Sequence, residues 1–275
     1  MKIYVMTDME GVAGVMNVDD FIYATGRYHE KAKRLVTEEV NAAVRGFAGG
    51  GFDDIVVADG HGPGAIDIEL LDTRARLMRG WPTGWPLLLD KSYHAVAFVG
   101  QHAKACTPCA HIPHTQSSHY IDLSINGVSI GEYGQFVLCA NDLDIPVIFA
   151  SGDAAFCKEA KELTPWVETV AGKEGTAPGT GEELDTEAYA HSHEAAIHVH
   201  PEVVRQTIEE TALKAARRFT REPGGFGRAP VKPPYELTAR FRGEKGAAPR
   251  HVERRHPSSI AQLFNDLRDS GSGNG

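Results

Sequence analysis

Ile3-Tyr4-Val5-Met6-Thr7-Asp8-Met9-Glu10 runs from four consecutive apolar residues into a pair of carboxylates. A short apolar run with β-branched and aromatic content reads as a strand buried on both faces of a parallel sheet. The pattern recurs twice. Ile55-Val56-Val57-Ala58 leads to His61, and Ala95 to Val99 leads to His102. Ligands of open parallel sheets bind in the crevice outside the carboxyl ends of the strands. Three strand ends, each followed by an oxygen or nitrogen donor, therefore point to one shared metal site.

Composition bounds the remaining classes. The 275 residues suffice for one large α/β domain or a core with a smaller appendage. With 42% hydrophobic and 24% charged residues, the chain has the make-up of a globular protein, and no apolar stretch approaches a membrane span. A net charge of −9 and the lack of a basic stripe argue against nucleic-acid binding. The short basic cluster Arg250 to His256 reads as a solvated surface segment. The chain opens directly on a strand-like run with no secretory pattern, so a cytoplasmic location is expected.

Cys106, Cys109, Cys139 and Cys157 are therefore not expected to form a disulfide framework. Cys106-x-x-Cys109-x-His111-x-x-His114 has the outline of a zinc knuckle, but its two pairs stand too close together for a structural zinc site.

The predicted fold is α/β: a three-layer arrangement with a mostly parallel sheet, the metal site at the carboxyl ends of its strands and a smaller C-terminal α+β portion. A helix is predicted over residues 27–47, stopped by Gly49-Gly50-Gly51. A short helix is expected at 65–71, and a loop at 80–86. A hairpin turns on Asn126-Gly127, and a helix covers 134–142. Pro146 to Ala150 is a fourth buried strand, and Asp153 an N-cap for the helix at 154–163. Residues 174–185 read as a mobile loop, 201–219 as a helix, 223–234 as a linker, 235–241 as a strand and 258–267 as a last helix. The division that follows is 1–170 for the metal-binding core, 171–268 for the C-terminal portion and 269–275 for a disordered tail.

Asp8 and Glu10 stand two apart, so both carboxylates can aim the same way. Adding His61, His102 and Glu132 gives three carboxylates and two imidazoles. That is too many for one tetrahedral zinc with an open position, and it suits two metals with a bridging carboxylate, for which Asp8 is the candidate. Zn2+ fits the mixed donors, with Mn2+ or Co2+ also possible. Asp59 is a candidate support behind an imidazole. His191, His193, His198 and His200 form a second histidine-rich group, without a strand-end scaffold.

Five ordered motifs, Asp8-Met9-Glu10-Gly11, Asp59-Gly60-His61, Gln101-His102-Ala103, Pro113-His114-Thr115 and Gly131-Glu132-Tyr133-Gly134, resemble the zinc-dependent D-aminopeptidase family of dinuclear metallopeptidases. The resemblance covers residues 1–165, with Thr37-Glu38-Glu39 and Ser151-Gly152-Asp153 in step. After about residue 173 the chain departs from the family pattern. The resemblance implies two zinc ions on Asp8, Glu10, His61, His102 and Glu132, and a catalytic role for His114. It also implies short peptides with N-terminal D-residues as substrates and assembly as a homo-oligomer, a ring-shaped decamer. Hydrolysis of another small amide or ester, a non-catalytic metal-binding scaffold, and a phosphatase or nucleotide-binding domain are the competing readings. The last lacks any glycine-rich phosphate loop after the first strand.

Overall fold

The computed structural model describes residues 1–243 and 248–271. The chain begins with β1 (Lys2–Thr7), a helical turn at Val18–Ile22 and α1 (His29–Gly49). Next come β2 (Asp54–Asp59), β3 (Ala75–Met78), β4 (Ala95–Gln101), β5 (Tyr120–Ile125) and β6 (Val128–Ser129). The middle holds α2 (Glu132–Asp142), β7 (Val147–Asp153), α3 (Ala154–Leu163) and β8 (Glu168–Gly175). The last third is α4 (Thr186–Ala190), β9 (Ala196–His198), α5 (Pro201–Arg221), β10 (Tyr235–Phe241), β11 (Arg250–His256) and α6 (Ile260–Gly271).

Seven strands form the main sheet in the order β3-β2-β1-β4-β7-β8-β9, parallel throughout except for β9 against β8. Strand order reverses at β1, which lies between β2 and β4, so the crevice at their carboxyl ends is a topological switch point. Alternate residues of the central strands feed two separate cores, because successive side chains point to opposite faces. Ile3, Val5, Ile55, Val57, Ala97 and Val99 pack with α1 and α5. Tyr4, Met6, Val56, Ala58, Val96 and Phe98 pack with α2, α3, α6 and a second sheet. The fold is the expected three-layer α/β arrangement. No helix among the described residues is long and apolar enough to cross a membrane.

Several local expectations change. Residues 65–71 form turns instead of a short helix, because the Asp59 carboxylate holds the backbone N–H of Ala65 at 3.0 Å and ties the loop back. Glu132 opens α2, two residues earlier than predicted. The Asn126-Gly127 hairpin belongs to a second, antiparallel sheet ordered β11-β10-β5-β6, so it pairs with a strand more than a hundred residues later. The basic cluster at 250–256 is the edge strand of that sheet, and charged side chains there discourage further pairing. β8 crosses residue 170, where the boundary was drawn, and its last two residues enter the expected loop at 174–185. α6 continues past Leu267 into the first positions of the expected tail, and residues 272–275 lie outside the described residues.

Candidate metal centre

Strand ends deliver the donors. Asp8 follows β1, His61 follows β2, and His102 follows β4, while Glu132 is the first residue of α2. Ligand atoms of Asp8, Glu10 and His61 lie within 4.8 Å of one another, as do those of His102, His114 and Glu132. The two triads adjoin: Asp8 Oδ2 is 3.2 Å from His102 Nε2, which is 3.6 Å from Glu132 Oε1. Asp8 thus stands between the groups, as a bridging carboxylate would. His114 Nε2 is 3.8 Å from Glu132 Oε1, and its ring stacks on His102 with centroids 3.8 Å apart. All six residues named from the sequence meet in one cluster.

The imidazoles are oriented by backbone carbonyls. His102 Nδ1 lies 2.9 Å from the Ala103 carbonyl and His114 Nδ1 lies 3.1 Å from that of Ile112. With the Nδ1 proton donated to its carbonyl, each ring turns Nε2 toward the carboxylates, and in the neutral form that nitrogen offers a lone pair to a cation. Asp59 does not reach the ring of His61. Its carboxylate accepts from Ala65 and Ile66, and Arg79 Nη1 donates to the carbonyls of Asp59 and His61 at 3.0 and 2.6 Å, so the pair shapes the loop that carries His61. Gln101 is the positioning group that the sequence reading did not weigh. Its Nε2 donates to Asp8 Oδ2 at 2.9 Å, while the Met9 N–H donates to Oδ1. The signal for it was its place beside His102. Gln116 N–H similarly donates to Glu132 Oε1 at 2.8 Å.

Burial and mutual charge shift all six groups of the cluster. Burial raises Asp8 to about 7, and Glu10 adds to the rise. Burial would lift Glu10 as well, but His61 overrides it and holds the carboxyl well below the ordinary range. Burial likewise opposes a proton on His61, yet Glu10 pulls it up to about 9. His102 is raised well above an ordinary histidine, against its burial, by Glu132 and Asp8, and Glu132 falls to about 2 beside it. His114 goes the other way, lowered by burial and by the charge on His102. Two imidazolium protons thus compensate the carboxylates, the task divalent ions perform in such sites. Glu10 Oε2, His61 Nδ1 and His102 Nε2 are buried without a hydrogen-bond partner. Buried polar atoms rarely stay unpaired, and these belong to a donor set of carboxylates and imidazoles, so the residues fit a pair of cations.

The other histidines serve structure. His111 is wholly buried, its N–H donating to Asp153 Oδ2 and its Nε2 lying 3.1 Å from the carbonyls of Met16 and Glu194. His193 bridges Ser192 and the Gly179 carbonyl, His198 Nδ1 accepts from the Gly14 N–H, and His200 caps α5. His191 pairs with Glu194. Cys106 Sγ accepts from Arg242, and all four cysteines are free thiols. Asp153 caps α3 through the Phe156 N–H, as its position suggested.

The family model described as peptidase M55, D-aminopeptidase, matches residues 1–253, well past the point where the quoted motifs end. A D-aminopeptidase of Bacillus subtilis (strain 168) is 32% identical over 177 residues, 63% of this chain. The match spans 64% of that relative's length. Among solved structures, the zinc-dependent D-aminopeptidase DppA from Bacillus subtilis, described as a self-compartmentalizing protease, matches with a TM-score of 0.79. Both chains are covered in full, at 21% sequence identity, a level at which the likeness speaks for the fold. With the family match extending from the first ligand strand into the last strand of the second sheet, this chain belongs to the peptidase M55 family of D-aminopeptidases.

Proposed function

We propose that this chain is a zinc-dependent aminopeptidase that releases N-terminal residues, D-amino acids among them, from short peptides. The observation that carries the reading is the pair of adjoining carboxylate–imidazole triads, five of whose six residues line a cavity of about 560 Å³. That volume lies in the roughly 300–1,000 Å³ range of small-molecule sites. Family membership and the names of the Bacillus subtilis matches support the activity, the D-configuration and zinc.

In this reading Asp8, Glu10 and His61 would hold one ion and His102 and Glu132 the other, with Asp8 beside both groups. Such a pair, when bound, lowers the pKa of water and offsets the negative charge of the tetrahedral transition state. The chain's own residues do the rest. Gln101 fixes the plane of the Asp8 carboxylate, and the Ala103 carbonyl fixes the ring of His102. His114, tied to Ile112 through Nδ1, presents Nε2 to the cavity. It can accept a proton during attack and return it to the departing amine.

Assembly into a homo-oligomer, a decameric ring by resemblance, is part of the proposal and draws support from the self-compartmentalizing description of the Bacillus subtilis structure. The test is elemental analysis of the purified protein together with hydrolysis of D- and L-configured dipeptides and amides. Two zinc ions per chain and faster release of D-residues are expected. Protein with full metal but no action on any peptide or amide would defeat the reading, and preference for an ester would move it to another hydrolase class.

A further inference from the structure

The cavity over the triads has an apolar end that binding of metals and movement of protons do not use. Met6 and Phe98 of the sheet, Phe136 of α2, and Trp81, Trp85 and Leu87 from the connection between β3 and β4 line it. This connection is held from two sides. Trp85 N–H donates to Asn265 Oδ1 at 2.9 Å, and Asn265 Nδ2 returns a bond to the Trp85 carbonyl at 3.1 Å. The Trp85 ring sits 5.3 Å from that of Phe264, and the Tyr4 hydroxyl donates to the Leu87 carbonyl at 2.9 Å. Leu87 and Leu88 have φ of 57° and 63°, a region costly for a leucine and tolerated where surrounding contacts dictate the backbone. The aromatic wall is therefore built before any ligand arrives, which saves the ordering cost of binding.

We propose that this end is a specificity subsite for the side chain of the substrate's N-terminal residue, and that it selects bulky aromatic or aliphatic side chains over alanine. The inference rests on the aminopeptidase reading above. An aminopeptidase holds the amine and first carbonyl of its substrate at the ligand cluster, so the side chain between them enters the cavity lined by Asp8, Glu10, His61, His114 and Glu132. A smaller cavity of about 220 Å³ beyond Glu10 and His114 touches only those two of the six, and leaves room for the rest of the peptide. Among the described residues, no lysine or arginine lines the larger cavity, and its carboxylates are those of the metal cluster. A charged side chain would lie against tryptophan and phenylalanine without a partner, which is unfavourable, whereas an apolar one gains by leaving water.

The experiment compares kcat/KM for alanyl, leucyl and phenylalanyl amides, in both configurations, on zinc-loaded enzyme and its Trp81→Ala and Trp81→Phe variants. Inhibition constants and tryptophan-fluorescence titrations with alaninol and phenylalaninol, which have an amine but no scissile bond, give a readout independent of turnover. Phenylalanyl substrates should be favoured about 10- to 100-fold over alanyl ones. The preference should shrink toward unity in Trp81→Ala and largely persist in Trp81→Phe, with melting temperatures unchanged. Equal binding of alaninol and phenylalaninol, or a preference untouched by Trp81→Ala, would overturn the subsite. Selectivity that follows the second residue, in Phe-Ala against Ala-Phe amides, would overturn its assignment to the N-terminal side chain. If no amide is cleaved, the hydrolase reading fails, while the amino-alcohol titrations still decide whether the apolar end recognises bulky groups.

Discussion

His102 and His114 stack ring on ring, yet their surroundings give them opposite tendencies. His102 faces Asp8 and Glu132 and is drawn toward its charged form, while His114 is pushed toward neutrality by burial and by His102. A ligand and a proton carrier can therefore be neighbours of the same residue type. His114→Ala should lower kcat by about 10²- to 10⁴-fold with zinc content unchanged, whereas His102→Ala should lose zinc. Elemental analysis of both variants decides, because loss of zinc from His114→Ala would make it a ligand. The same cluster sets a pH signature in metal-free protein. His61 is raised from 6.5 to about 9, so its stabilisation is complete below pH 6.5 and is lost as pH rises through 9. Glu132 is lowered from 4.5 to about 2, so its stabilisation is present above pH 4.5 and is lost as pH falls through 2. Asp8, raised from 3.8 to about 7, costs the fold stability above pH 7 and less as pH falls. Metal-free protein should melt highest between about pH 4.5 and 6.5 and lose stability toward pH 9, with a flatter profile in His61→Asn. Zinc should add more stability as pH rises, since it displaces protons from the imidazoles. A chelated wild type whose melting point climbs from pH 6 to 9, by calorimetry, would contradict this account.

At the scale of elements, the centre depends on how closely the loop after β1 approaches the end of β4. Asp8 N–H donates to the Val99 carbonyl at 3.0 Å, and Gly11 N–H donates to that of Gly100 at 2.8 Å. A Cβ on Gly11 would run into the Gln101 carbonyl, and one on Gly100, whose φ is +79°, into that of Asp8. Both obstacles are backbone, which cannot swing aside. Gly11→Ala should therefore cost about 1–3 kcal/mol or more and spread the triads, so that zinc stoichiometry falls with the melting point. Wild-type values for both in Gly11→Ala would show that the approach is not required. This junction also marks what the sequence disclosed. β1, β2, β4 and β7 were legible because strands buried on both faces leave unbroken apolar runs, and the ends of the first three named Asp8, Glu10, His61 and His102. β8 was not, since its buried face includes Lys173, whose Nζ donates to the Val15 carbonyl at 3.1 Å, and a lysine reads as surface. Gln101 and the tryptophan wall escaped for another reason: an amide or an indole declares its role only through the partner it meets in space.

Across the whole molecule, the region after residue 170 is woven into the core. α5 packs beside α1, with Gly46 against the backbone of Glu209 and Leu213, and Arg45 pairing with Glu209 at 2.6 Å. β10 completes the sheet begun by the β5–β6 hairpin, and α6 buries Ile260, Leu263 and Phe264 while Asn265 holds the tryptophan loop. The hairpin and the strand at 235–241 were each visible in the sequence, but their pairing was not, because contacts between distant segments leave no periodic trace. Among the described residues, this packing leaves apolar side chains exposed at the edge of the main sheet. Ile197 is 67% exposed on β9, the edge strand of the main sheet, with Val199 and Val203 at 41% and 51% nearby. Edge strands with open backbone groups and clustered apolar side chains are places where copies of a chain meet. If the chain assembles as proposed, that surface should be covered in the oligomer. Sedimentation velocity should find wild type at a multiple of the 29.8 kDa chain mass, and Ile197→Asp combined with Val203→Asp should shift it to smaller species. Both side chains face solvent in the single chain, so the double variant should keep its fold and zinc, and any loss of mass reports on assembly. A wild type that sediments as a monomer at micromolar concentration would remove the oligomer from the proposal, and a double variant of undiminished mass would place the contact on another face.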